Sequence, residues 1–154
     1  MTDKPYFRLY RPGDFQALVT MVMALYREDP PGEAMNATKV THTVTALSRA
    51  PEKGRIMIFD MDDEVVGYAI VIHCWSNEFS GDIHLLDEIY ITPHKHNLGI
   101  GTAFLQHLLK QMGESAIGLK VEITPDNNRA RRFYETLGFT AATNRHLFMP
   151  LPRH

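Results

Sequence analysis

Cysteine is almost missing from this sequence. A single Cys74 among 154 residues excludes an internal disulfide framework and a cysteine-rich zinc site, and it suits a reducing, cytoplasmic compartment. An excess of one charge is missing too. With 16 Lys and Arg against 18 Asp and Glu, a formal charge of −2, the chain lacks the cationic surplus that neutralises phosphates, so no nucleic-acid partner is expected. Long apolar runs are absent. The greasiest stretch, residues 65–75, is interrupted by Gly67 and His73 and falls short of the roughly 18 residues of a membrane span. The start, Met1-Thr2-Asp3-Lys4-Pro5, is polar and leads into no apolar core of a signal peptide, so no membrane association is expected. Repeats, low-complexity tracts and long polar linkers are also lacking. One domain over residues 1–154 follows, because a chain of this length can bury roughly 68–70% of its unfolded surface without a staple.

What is present alternates between two periods. Residues 6–11 read as a short strand, broken by Pro12-Gly13. Leu18, Val19, Val22, Met23 and Tyr26 then recur at helical spacing, with Met21 and Met23 as gap-filling core, until Asp29-Pro30-Pro31-Gly32 stops the helix. Asn36 or Thr38 can cap a second helix carrying Val40, Val44 and Leu47 and ending before Pro51. Residues 55–59 and 65–72 form a hairpin around Asp60-Met61-Asp62-Asp63, and a third strand runs over 82–91. A helix over 99–112 with Leu105, Leu108 and Leu109, a strand over 118–123, a helix opened by Pro125-Asp126-Asn127 that runs through Leu137 and is closed by Gly138, and one or two strands over 139–149 complete the order. This is an α/β (α+β) chain with a mixed sheet, and it is no regular doubly wound repeat.

Three constellations could carry chemistry. In Tyr90-Ile91-Thr92-Pro93-His94-Lys95-His96-Asn97-Leu98-Gly99-Ile100-Gly101-Thr102 a strand feeds a glycine-bearing loop that opens a helix. Backbone N–H groups converge there at the positive end of the helix dipole, which suits a phosphate or pyrophosphate. No Gly-Lys-Ser/Thr makes it a Walker loop, and Phe104 occupies the third small position of a dinucleotide fingerprint. On this segment alone a plain helix entry with two glycines is the alternative reading. The second is Asn127-Asn128-Arg129-Ala130-Arg131-Arg132-Phe133-Tyr134-Glu135-Thr136-Leu137-Gly138-Phe139, where Asn127, Ala130 and Tyr134 share a helix face. Taken alone, it reads as cap, packing and stop. The third is Asp87-Glu88 inside the apolar run Leu85-Leu86-Asp87-Glu88-Ile89-Tyr90-Ile91. Neighbours on a strand point to opposite faces, so one carboxylate reaches a cleft unless a bulge intervenes.

The first two segments together resemble the signature pair of the GNAT superfamily of acyl-CoA N-acyltransferases: the Q/R-x-x-G-x-G/A loop, here His96-Asn97-Leu98-Gly99-Ile100-Gly101, then Asn-x-x-Ala-x-x-Phe-Tyr and Gly-Phe. The element order agrees from Phe7 to Met149. The resemblance implies a central mixed, mostly antiparallel sheet flanked by about four helices, and direct transfer of the acetyl group of acetyl-CoA to a primary amine with no metal. It implies that His96, Asn97, Leu98, Gly99, Ile100, Gly101 and Thr102 hold the pyrophosphate, with the backbone nest carrying the anion where a histidine replaces Gln or Arg. Ile89, Tyr90 and Ile91 would pair with the pantetheine arm and polarise the thioester carbonyl. Asn127 would bind the pantetheine region, and Tyr134 would protonate the leaving thiolate. Relatives resembling the diamine and polyamine acetyltransferases carry an acidic pair in the reverse order at the positions of Asp87 and Glu88, which points to a small cationic amine acceptor and to Asp87 as proton acceptor. A protein or peptide amine, or a non-catalytic acyl-CoA sensor, are the alternatives.

Several residues stay open between packing and function. His94 and His96 lack nearby Cys or carboxylate partners in sequence, against a metal site. His84 either lines the acceptor site or bonds within its strand, and Trp75, Tyr26 and Tyr68 are core or an aromatic wall. Dimers are common in the family, and the final strand, residues 146–149, offers a homodimer contact.

Overall fold

A computed structural model of the chain describes residues 4–114 and 116–153. They divide into two compact units, Met1–Thr124 and Pro125–His154.

The first unit is built on a five-stranded sheet in the order β1-β2-β3-β4-β5, formed by Tyr6–Leu9, Gly54–Met61, Glu64–Ser76, Gly81–Ile91 and Ala116–Val121. All neighbours are antiparallel except β4 and β5. A parallel pair needs a long crossover, and α3 (Ile100–Gln111) supplies it. Between β2 and β3 the turn is tighter than the four residues expected from sequence. Only Asp62 and Asp63 lie outside the strands, with φ of 53° and 60°, the left-handed pair that matches a hairpin's twist.

Helices α1 (Phe15–Glu28) and α2 (Ala37–Arg49) cover one face of the sheet. Asn36 caps α2 by accepting from the Lys39 N–H at 2.9 Å, satisfying one of the donors a helix start leaves orphaned. Leu18, Met21, Val22 and Val40 from these helices meet Ile56, Ile58, Tyr68, Ile70 and Tyr90 of the sheet. By strand parity the opposite face carries Phe59, whose ring lies 4.5 Å from that of Phe104 on α3 and 5.1 Å from that of Phe7. Leu105 and Leu108 are buried as their spacing predicts, whereas Leu109 is exposed.

In the second unit, α4 (Asn128–Thr136) is followed by no strand among the described residues. The one or two strands expected over 139–149 are not formed. Leu147 and Phe148 are 97% and 89% exposed, and a β-branched or apolar segment holds a strand only where a ladder partner and a buried face reward it.

Candidate active site

Strand β4 carries a bulge at the acidic pair. Val71 of β3 pairs with Leu86 and Ile70 pairs with Glu88, so Asp87 is an extra residue with no partner across the ladder. The parity expected of an unbroken strand is therefore reset. Leu86 faces the α3 side with Val71, while Glu88, two residues on, faces the α1 and α2 side with Ile70. There its Oε2 accepts from the Tyr26 hydroxyl of α1 at 2.6 Å, and its Oε1 accepts from the Tyr68 hydroxyl of β3 at 2.7 Å. Beneath the carboxylate lies a cavity of about 20 Å³, room for one water molecule. Leu18, Val22, Met35 and Val40 line it, and none of these brings a charge.

Asp87 is exposed overall. Desolvation of its carboxyl, followed by the negative charges of Glu88 and Glu122, pushes it up to about 6. Exposure weakens the first of these causes, but the two neighbouring charges alone act in the same direction.

β5 leaves β4 at the same place. The parallel ladder runs from Asp82 opposite Ala116 to Leu86 opposite Val121 and stops. Beyond it, Ile89, Tyr90 and Ile91 pair only with Ala69, Tyr68 and Gly67 of β3. Among the described strands nothing pairs with the other side of residues 87–91, which leaves backbone groups able to accept an extended ligand as an added strand. Next along the chain, the His96 ring is bonded through Nε2 to the Ile91 carbonyl at 2.7 Å. Asn97 has φ 64°, and Gly99, the residue preceding α3, has φ 75°. The loop is tied to the β2–β3 hairpin by His94 with Glu64 and Lys95 with Asp62, each at 3.1 Å. The N–H groups of Ile100, Gly101 and Thr102 lie in the first turn of α3, where no intrahelical acceptor exists. The first unit thus brings together the acidic pair, the open strand edge and the glycine-turned helix entry.

The second unit holds the other expected site residues. Asn127 caps α4, its Oδ1 accepting from the Ala130 N–H at 3.0 Å. Tyr134 is buried between the ring edges of Phe133 and Phe139, at centroid distances of 5.1 and 5.3 Å, and burial pushes its hydroxyl up to about 12. Gly138, with φ 98°, ends the helix, and the Phe139 N–H reaches back to the Tyr134 carbonyl.

A family model described as the acetyltransferase (GNAT) family matches residues 19–139. The chain belongs to the GNAT acetyltransferase family. N-alpha-acetyltransferase 40 of Saccharomyces cerevisiae is 32% identical over 74 residues, 43% of this GNAT chain and 26% of that relative's length. A possible acetyltransferase from Clostridium difficile 630 superposes with TM-score 0.84 at 18% identity, over 98% of this chain and all of that one. The ribosomal-protein-alanine N-acetyltransferase of Brucella melitensis biovar Abortus 2308 superposes with TM-score 0.75 at 15% identity, over 95% of this chain and 99% of that one. At such identities the two superpositions establish the GNAT fold.

Within this GNAT fold, two residues left open by sequence prove to be partners of Glu88. Tyr26 lies 62 positions from it and Tyr68 lies 20, so no local pattern links them. His84 pairs with His73, their rings stacked at 4.4 Å, and by the same register it faces the side of the sheet opposite Glu88. Burial, then the nearby His73 and Arg55, lower its proton affinity. Trp75 is exposed towards the end of β3. Among the described residues no three His, Cys, Asp or Glu side chains converge as metal ligands would.

Proposed function

We propose that this chain, acting as one domain over residues 1–154 in the cytoplasm, transfers the acetyl group of acetyl-CoA to a primary amine, and that the amine is a small cationic one. The supporting observation is the departure of β5 from β4 after Leu86, which opens a strand edge beside the acidic pair and just ahead of the helix entry. The residues fit the co-substrate. A left-handed Gly99 and free first-turn amides suit a pyrophosphate, and the edge of Ile89, Tyr90 and Ile91 suits the amide-bearing pantetheine arm.

Asp87 takes the proton that the acceptor amine gives up, through water, as the carbon–nitrogen bond forms and the carbon–sulfur bond breaks. The need is large: an alkylamine with a pKa near ~10.4 is only about 0.04% neutral at pH 7, a deficit of roughly 4.6 kcal/mol. Glu88 supplies the fixed negative charge that attracts the ammonium form. A backbone N–H of Ile89, Tyr90 or Ile91 polarises the thioester carbonyl. Tyr134 gives its proton to the departing thiolate, and Asn127 contacts the pantetheine region. The exposed segment 146–149 serves a homodimer contact.

A protein or peptide amine is the second reading. It is favoured by the yeast relative's name, N-alpha-acetyltransferase 40, at 32% identity over the matched 74 residues. A panel of diamines, monoamines, amino acids and short peptides with acetyl-CoA, read by thiol release and product mass, separates the readings. Steady thiol release with a diamine supports the first. Release with peptides alone overturns it in favour of the second, and binding of acetyl-CoA with no turnover would make the chain a sensor.

A further inference from the structure

Two tyrosine hydroxyls from distant elements are donated to one carboxylate at the bulge, while among the described residues the carboxylate next to it is held by none. We propose that Tyr26 and Tyr68 are positioning residues that clamp Glu88 as a fixed anion, so that Asp87, the bulged residue beside it, is the member of the pair that takes up the proton. The catalytic use of that proton rests on the reading given above; the clamp itself does not.

The hydrogen-bond arithmetic carries the argument. Each tyrosine has one hydroxyl proton, and the two are donated to different oxygens of Glu88, at 2.6 and 2.7 Å. These are lengths typical of charge-assisted O–H···O⁻ bonds, about 2.5–2.7 Å. An ionised carboxylate accepts both bonds at once, whereas a protonated one accepts more weakly or must donate to one tyrosine with that hydroxyl turned round, so two donors on two oxygens favour the charged form. Neither donor is lost near neutral pH. Burial first and Glu88 second raise both hydroxyls well above the ordinary tyrosine value. Tyr68 is fully buried, and Tyr26 stands on α1, so the clamp ties a helix to the sheet at the site.

Asp87 has the opposite surroundings. Among the described residues it makes no hydrogen bond or ion pair, and the groups that bear on it electrostatically are Glu88 and, just past β5, Glu122. The titratable groups facing Glu88 are Tyr26 from α1, Tyr68 from β3 and Asp87 from β4. α2 and β2 contribute only Val40, Thr43 and Ile56 to the wall beneath it. Among the described residues no cation is paired with either carboxylate. The negative charges of Glu88 and Glu122 raise the Asp87 carboxyl, while two hydrogen-bond donors favour the charged form of Glu88.

The test is a pH titration of Asp87 followed by aspartate-selective ¹³C-carboxyl NMR in the free enzyme, for wild type, Tyr26→Phe, Tyr68→Phe and Glu88→Gln, with the fold of each checked by circular dichroism. Stripped of a donor, Glu88 is no longer held as a fixed charge beside Asp87 and should raise the Asp87 carboxyl less. The Asp87 midpoint should fall by about one pH unit, a tenfold loss of proton affinity, in Tyr26→Phe and Tyr68→Phe as in Glu88→Gln. An unmoved Asp87 midpoint in folded Tyr26→Phe overturns the clamp, and this variant suffices if the buried Tyr68→Phe does not fold. The pH profile of kcat/KM with an accepted amine tests the other reading separately. If the NMR midpoint falls while the rate profile keeps its limb, the clamp stands and the catalytic assignment of Asp87 fails.

Discussion

Gly67 of β3 faces Ile91 of β4 across the ladder, and a β-carbon on Gly67 would run into the Tyr90 carbonyl oxygen and the Phe59 ring. The close approach fixes the last residues of β4 from behind, on the strand whose other edge is open. Gly67→Ala should therefore cost about 1–3 kcal/mol, the usual range for overpacking, and weaken acetyl-CoA binding as Tyr90 and Ile91 are pushed outward. Urea unfolding and calorimetry check the two effects.

The helix entry gives a second prediction. Gly99 has φ 75° with open space where a β-carbon would sit, so valine there would suffer backbone strain of roughly 1–2 kcal/mol without a clash inside the protein. It would, however, project a side chain where an anion bound at the helix entry, as proposed above, would approach. Gly99→Val or Gly101→Val should abolish acetyl-CoA binding in folded protein. His96→Ala should be mild, since the ring bonds the Ile91 carbonyl and the amides remain. Unchanged affinity in folded Gly99→Val would move the anion site elsewhere.

Tyr134→Phe should lower kcat and leave acetyl-CoA affinity nearly intact. General acid help is worth about 10²–10⁴-fold, and a thiol with a pKa near ~8.5 is already a tolerable leaving group, so the low end is expected. A wild-type kcat would reduce Tyr134 to packing against Phe133 and Phe139.

Asp87 links activity to stability. Desolvation and the charges of Glu88 and Glu122 push its carboxyl from the ordinary 3.8 up to about 6, so between those values the folded state binds more protons than the unfolded. Stability then falls as pH rises through that window, and the penalty is fully present above it. Asp87→Asn should melt higher than wild type at pH 7.5, with the difference vanishing near pH 4, by calorimetric scans. The same variant should lose kcat/KM at neutral pH and recover much of it as solvent supplies neutral amine. Glu88→Gln should retain more activity.

Arg8 joins β1 to the start of the first helical region. It makes two hydrogen bonds of 2.8 Å with Asp14 and pairs with Asp60 on β2. The hydrogen bonds from Arg8 are the largest cause holding the Asp14 carboxyl below its ordinary range, against its burial. That stabilisation is present above the unfolded carboxyl's pKa and is lost as pH falls through the folded one. Arg8→Met should cost about 3 kcal/mol, since it strands a buried carboxylate, and should flatten the acid limb of the stability curve.

Local chemistry made much of this chain legible from sequence. Asn36 and Asn127 as caps, Pro30 and Gly138 as stops, the alternation of 55–59 and 65–72, and the glycine loop before α3 depend on neighbours within a few residues, and these are forces a sequence displays. The strands expected over 139–149 failed because a strand needs partners that local propensity does not supply. The tertiary structure alone decided which face of the sheet Glu88 occupies. A one-residue bulge at Asp87 overrides the two-residue period from which parity is read, and it exists only through the pairing of β4 with β3. Tyr26, 62 residues away, becomes the partner of Glu88 because α1 packs on that face. Side-chain period is a property of the chain, whereas register and long-range hydrogen bonds belong to the packing that brings distant segments together.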